Sequence, residues 1–140
     1  MAKAFTPDPD NKEFQDALNL VRFSNQSFFL TGKAGTGKST FIKYVCEHTR
    51  KKHVVLAPTG IAAINVGGAT LHSFFHLPLH LILPDDPNYS LRHGKIFESL
   101  RYNRDMRKLI NEVQLIIIDE VSMVRADIID FIDKVLRVFC

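Results

Sequence analysis

Gly32-Lys33-Ala34-Gly35-Thr36-Gly37-Lys38-Ser39 runs as a glycine, four residues, then Gly-Lys-Ser. That is the spacing of a loop that cradles phosphate. Glycines let the backbone curl so that several N–H groups face one concavity, where they hold phosphate oxygens. A helix opening just afterwards adds its positive N-terminal end. An amine at Lys38 can reach the β- and γ-phosphates, and the Ser39 hydroxyl can ligate Mg²⁺. The candidate cofactor-binding residues are therefore Gly32, Ala34, Gly35, Thr36, Gly37, Lys38 and Ser39, with Thr40 adjoining them. A merely structural Gly-rich turn is the alternative, and the flanking pattern argues against it. Ser27-Phe28-Phe29-Leu30-Thr31 is a short β-prone run before the loop. Thr40 to His48 contains no Gly or Pro and sets Phe41, Ile42, Val45 and Cys46 on one helical face.

A second chemical pair stands at Asp119-Glu120, directly after the apolar run Leu115-Ile116-Ile117-Ile118. Acids at the carboxyl end of a buried strand lie where ligands bind in open α/β sheets. Asp119 is suited to hold Mg²⁺ alongside Ser39, and Glu120 to orient or deprotonate an attacking water. Solvated strand-end acids are the plainer reading, which the upstream loop makes the weaker one. A GTPase would be expected to show Asp-x-x-Gly here, whereas the chain reads Asp119-Glu120-Val121-Ser122, and no guanine-reading Asn-Lys-x-Asp is present. ATP hydrolysis fits best, with a small-molecule phosphotransferase left open.

The elements that must position these groups can be read from pattern. Asn11 to Ser24 reads as an amphipathic helix with Phe14, Ala17, Leu18 and Val21 on one face. His53–Ala57 reads as a strand, and Thr59 as the cap of a helix over Ile61–Val66 that Gly67-Gly68 ends. Thr70 is placed to cap another helix, Leu71–His76. Pro78–Asn88 is expected to be a surface loop. Ser90–Asn111 reads as mostly helical, with Ile96, Phe97, Leu100, Met106, Leu109 and Ile110 buried. Leu115–Ile118 is expected to be a parallel strand buried on both faces. The last helix, Ala126–Phe139, carries an Ile128, Ile132, Val135 and Phe139 stripe with Asp130–Lys134 and Asp133–Arg137 ion pairs. Alternating strands and helices predict an α/β fold with a parallel sheet flanked by helices.

The chain has 140 residues, 46% hydrophobic and 24% charged, with a net charge of +3. This suits one soluble domain and permits a polyanionic partner. No apolar run approaches transmembrane length, and the first ten residues carry acids and no apolar signal core. Two cysteines suggest no disulfide framework, so a reducing compartment is expected.

Four segments together resemble the early motifs of Pif-type DNA helicases, 5′-to-3′ motors of helicase superfamily one related to the RecD branch. They are Gly32–Ser39, Ala57-Pro58-Thr59-Gly60-Ile61-Ala62-Ala63, Gly67-Gly68-Ala69-Thr70-Leu71-His72-Ser73-Phe74 and Ile117-Ile118-Asp119-Glu120-Val121-Ser122-Met123. The phosphate loop alone is generic; the two middle segments are more specific. The resemblance implies a RecA-like P-loop ATPase fold using ATP and Mg²⁺, with Lys38, Asp119 and Glu120 catalytic and Ser39 and Asp119 on the metal. It places an adenine-reading glutamine at Gln15. It turns Thr59, Gly60, Thr70, His72 and Phe74 towards single-stranded DNA. Free N–H groups after Thr59 could also bind a DNA phosphate, and His72 and Phe74 could pack on a sugar or base; capping and core packing are the competing roles.

The family's γ-phosphate-sensing glutamine, second motor domain and arginine finger have no counterpart before Cys140. The expectation is thus a truncated portion of the first motor domain: an irregular lead-in at 1–10, then 11–140, with the remaining motor domains and DNA as partners. Such a piece is not expected to unwind DNA alone, and the location expected is cytoplasmic and DNA-associated. A nucleotide- or DNA-binding module without turnover is the other reading. Two further signals carry less. His72, His76 and His80 share a four-residue spacing, but Pro78 interrupts any helix bearing them. Arg92, Lys95, Arg101, Arg104, Arg107 and Lys108 read as a solvated helix face rather than a nucleic-acid track.

Overall fold

The computed structural model describes residues 6–32, 37–91 and 95–140. It divides into two compact units, residues 1–50 and 51–140, each treated separately below.

In the first unit, α1 (Lys12–Phe23) begins where Asn11 accepts the Phe14 N–H through its side chain, and it buries Ala17, Leu18 and Val21. Helix α2 (Lys38–His48) buries Phe41 and Val45 and leaves Cys46 half-buried. Phe14 meets Phe41 and Tyr44 edge-on, with ring centroids 5.1 and 5.8 Å apart. Ser27–Thr31 is not a strand. The segment has no ladder partner among the described residues, and Phe29 is 68% exposed. An apolar β-prone run becomes a strand only when a neighbour pairs its backbone, and none of the described strands does so.

The second unit is built on a three-stranded sheet of order β2-β1-β3, where β1 is His53–Ala57, β2 is Ala69–Thr70 and β3 is Leu115–Ile118. Both pairings are parallel. Leu56 and Ala57 lie beside Ala69 and Thr70, and His53 to Leu56 lie beside Leu115 to Ile118. Between β1 and β2 runs α3 (Gly60–Val66), capped by Thr59 and closed by Gly67 at φ 67°. Gly68 is needed for a different reason. A Cβ there would lie 2.1 Å from the Val55 carbonyl oxygen, so only glycine lets the chain pass β1 closely enough to pair.

Helix α4 (Leu71–Phe75) follows directly, capped by Thr70 and ended by His76 at φ 53°. Helices α5 (Lys95–Leu100), α6 (Arg104–Glu112) and α7 (Ala126–Phe139) complete the unit. One hydrophobic cluster joins Leu56, Leu71, Phe75, Ile96, Ile110, Phe131 and Val135.

Three expectations change. All four residues of β3 are half-buried, not fully buried, because β3 borders only β1 among the described strands. Phe97 and Leu109 are 40% and 49% exposed, at the margin of the cluster that takes Ile96 and Ile110, with Phe97 edge-on to Phe139. The 78–88 segment is the surface loop expected, tied down at Ile82, which is buried and whose N–H donates to Asp127, and at Asp86, which caps a short 3-10 turn at Pro87–Tyr89. Lys134 donates to the Pro84 carbonyl at 3.0 Å instead of pairing with Asp130, while Asp133–Arg137 forms at 2.7 Å. No described helix is long and apolar enough to cross a membrane.

Candidate functional site

The phosphate-loop candidates lie in the first unit. Gly37 has φ 90° and precedes α2, a conformation that costs glycine little and other residues more. A Cβ added there would meet nothing within 4 Å. The first backbone bond of α2 runs from the Phe41 N–H to the Gly37 carbonyl. The N–H groups of Lys38, Ser39 and Thr40 therefore have no acceptor inside the helix, the arrangement that suits an anion. The Lys38 amine reaches back to the Gly32 carbonyl at 2.7 Å, so the cation is held beside the loop's entry. Ala34, Gly35 and Thr36 lie outside the described residues. Gln15 is half-buried on α1, one turn past the Asn11 cap.

The remaining candidates gather at the carboxyl edge of the sheet in the second unit. The Asp119 N–H extends the ladder by donating to the Leu56 carbonyl at 2.9 Å, so Asp119 leaves the sheet one residue beyond β3. Asp119 is half-buried and Glu120 exposed. Glu120 sits at φ 53° and starts the 3-10 turn Val121–Met123. This left-handed residue redirects the chain at the strand's end and sets the two carboxylates in different surroundings. A half-buried carboxylate and a serine hydroxyl are each a hard oxygen donor of the kind Mg²⁺ takes, so Asp119 and Ser39, each within its own unit, carry chemistry suited to that ion.

Pro58-Thr59-Gly60 leaves β1 at the same edge, and Thr70 is paired with Ala57 there. The Thr59 hydroxyl accepts the Ala62 N–H at 3.2 Å, and the Thr70 hydroxyl accepts the Ser73 N–H at 3.1 Å. Both threonines thus cap short helices while standing at the edge. His72 is half-buried on α4. Phe74 lies elsewhere. It packs on the core cluster, meets Phe75 edge-on at 4.8 Å and shares a 160 Å³ hollow with Lys52, His53 and Val54 at the opening of β1. That is the opposite end of the strand from Thr59, because α4 runs back across the sheet. The packing role weighed for Phe74 accounts for its position.

His76 ends α4 in the left-handed region and meets the Tyr102 ring, and His80 bonds to the Leu81 carbonyl; the three histidines share no helical face. Lys95, Arg101, Arg104, Arg107 and Lys108 are exposed, with Arg107 donating to the Tyr102 carbonyl. Sequence pattern gave no hint of Asp127. Its carboxylate is held below the usual range by the Ile82 N–H and then by Arg125, which binds it through two nitrogens at 3.0 and 3.2 Å. Its loop partner is 45 residues distant in sequence.

Known proteins align with this arrangement along most of the chain. The family described as PIF1-like helicase matches residues 9–140. The ATP-dependent DNA helicase PIF1 of Emericella nidulans is 34% identical, covering 86% of this chain and 16% of the relative. The ATP-dependent DNA helicase Pif1 of Bdellovibrio bacteriovorus is 37% identical, covering 80% of this chain and 24% of its own length. A crystal structure of Bacteroides sp. Pif1 in complex with ADP-AlF4 matches with a TM-score of 0.79 at 44% identity, covering 91% of this chain and 27% of that one. A Bacteroides Pif1 structure bound to single-stranded DNA matches at 0.77, again with 44% identity, over 92% and 28% of the two chains. The chain thus spans under a third of each of these relatives. Its fold is that of the matching RecA-like motor domain, covered in part. On the family match and these identities, the chain belongs to the PIF1-like helicases.

Proposed function

We propose that this chain supplies the nucleotide-binding front of the first motor domain, residues 11–140, of a longer ATP-dependent DNA helicase that moves on single strands. Gly32 to Thr40 cradle the nucleotide phosphates, and Lys38 leaves the Gly32 carbonyl to meet them. Ser39 and Asp119 hold Mg²⁺, Glu120 orients the attacking water, and Gln15 reads adenine. The bound nucleotide supplies the phosphoanhydride bond whose hydrolysis drives the motor. Thr59, Gly60, Thr70 and His72 face the strand, while Phe74 packs α4 onto the core cluster.

The observation that carries this reading is the shared carboxyl edge of β1, β2 and β3. The Ala57–Thr70 pairing and the Asp119–Leu56 bond bring Thr59, Thr70 and Asp119-Glu120 to one rim of one sheet. A polar edge above parallel strands is where such folds bind ligands. Relatives named as ATP-dependent DNA helicases, and one solved with ADP-AlF4, support nucleotide use.

The test is ATP hydrolysis with and without single-stranded DNA, on this chain and on a form extended through both motor domains. Stimulation of the extended form by DNA is expected. Hydrolysis indifferent to DNA would remove the helicase reading, and phosphate transfer to a small acceptor would replace it with a kinase.

A further inference from the structure

We infer that Tyr102 is a positioning residue for the Thr70–His72 segment, acting through one hydrogen bond at the far end of α4. The inference rests on the DNA-facing role proposed above. With five residues, α4 is too short to persist without support at its ends. Its entry is held by the Thr70 cap and by the pairing of Thr70 with Ala57. At its exit, the His72 carbonyl accepts both the His76 and the Leu77 N–H groups. The Phe75 carbonyl is then left over at the helix end, beside a phenyl ring that is wholly buried. The Tyr102 hydroxyl donates to it.

Tyr102 is itself buried, at 4% exposure. Burial raises its phenol pKa above the ordinary tyrosine value, and the group is a protonated donor at neutral pH. Three features aim it. Arg101, at φ 49°, turns the chain sharply after α5. Arg107 donates to the Tyr102 carbonyl at 3.1 Å. The ring rests against Phe139 of α7 and the edge of His76, at centroid distances of 5.2 and 5.3 Å. The exit of α4 is thereby anchored to α6 and α7, and His72 sits between two fixed ends.

Without the hydroxyl, a buried acceptor loses its donor and the exit of α4 opens more often. Fewer molecules then present the segment correctly, and the apparent Kd for DNA rises by the inverse of that fraction.

The experiment uses the full-length helicase and a labelled oligothymidine, read by fluorescence anisotropy. Tyr102→Phe keeps the ring and removes only the donor. We expect weaker binding, by up to about tenfold, the ceiling set by one unsatisfied buried acceptor. The slope of log Kd against log salt should not change, since no phosphate contact is lost, and Mg-ADP affinity should hold. Hydrogen exchange at the His76 and Leu77 amides should quicken. Val135→Ala, which hollows the core in α7, serves as the stability control and should leave DNA affinity intact. Equal DNA binding by Tyr102→Phe and wild type, unchanged exchange at the two amides, or equal weakening by Val135→Ala each overturns the inference alone. Wild-type protein that takes up no strand overturns the DNA-facing role as well.

Discussion

Replacing Gly68 with alanine tests how β2 is brought to the sheet. The added Cβ would stand 2.1 Å from the Val55 oxygen, 2.8 Å from its carbonyl carbon and 3.2 Å from its Cβ. Carbon–oxygen contacts normally begin near about 3.3 Å, so the clash needs roughly 1 Å of relief. The atoms struck belong mainly to the backbone of β1, the central strand, paired on both sides. The relief must therefore come from the Gly67–Thr70 segment. That strains the Gly68 N–H bond to the Ala63 carbonyl and the Ala57–Thr70 pairing. Overpacking of this kind costs about 1–3 kcal/mol, and with no flexible side chain to yield we expect about 3 kcal/mol. For a chain of this size that is roughly a 9 °C fall in Tm.

Two neighbouring glycines calibrate the result. Gly67→Ala meets no atom within 4 Å but must hold φ 67°, costing about 1–2 kcal/mol. Gly60→Ala, in open space on α3, should be neutral or stabilise by a few tenths, about what helix propensity gives near a terminus. Urea denaturation of the three variants supplies the ranking. A Gly68→Ala loss no larger than that of Gly67→Ala would refute the close-approach argument.

Three other outcomes follow from the sites. Lys38→Ala should abolish saturable nucleotide uptake in the full-length protein, measured by fluorescent-nucleotide titration. Glu120→Gln should keep binding while slowing turnover about 10²–10³-fold, the usual loss of a group aimed at the transition state; equal loss of binding and turnover would contradict the division of labour. Asp127 has a depressed folded-state pKa, so its stabilising contribution is fully present above the ordinary carboxylate range near roughly pH 4 and is lost as pH falls through the lower folded value. Stability profiles of wild type and Asp127→Asn should therefore run parallel from neutral pH down to about 5 and converge in acid; convergence already near neutrality would show that the carboxylate is not held as described.

Much of this protein was legible from local pattern. The cap residues Thr59 and Thr70 and the stop at Gly67 lie where local backbone chemistry puts them, because a cap needs only residues three positions apart. β1, β3 and α7 follow from apolar runs and periodicity for the same reason. Ser27–Thr31 departs from its pattern, since a strand requires a partner that local composition does not name. Phe74 departs because the turn of α4 over the sheet, not its spacing from His72, decides which end of β1 it meets.

The order of residues alone determined the chemical vocabulary: the glycine-rich run with Lys38 and Ser39, the acids after an apolar strand, and the motif spacing that marks the family. Only the tertiary structure decided the contacts between distant segments. Those are the approach of Gly68 to Val55, the hold of Asp127 on Ile82, and the reach of Tyr102 to Phe75, 27 residues away. Capping and periodicity act over one or two turns of backbone, whereas these contacts exist only after α4, α6 and α7 have packed against the sheet and excluded water from a shared core.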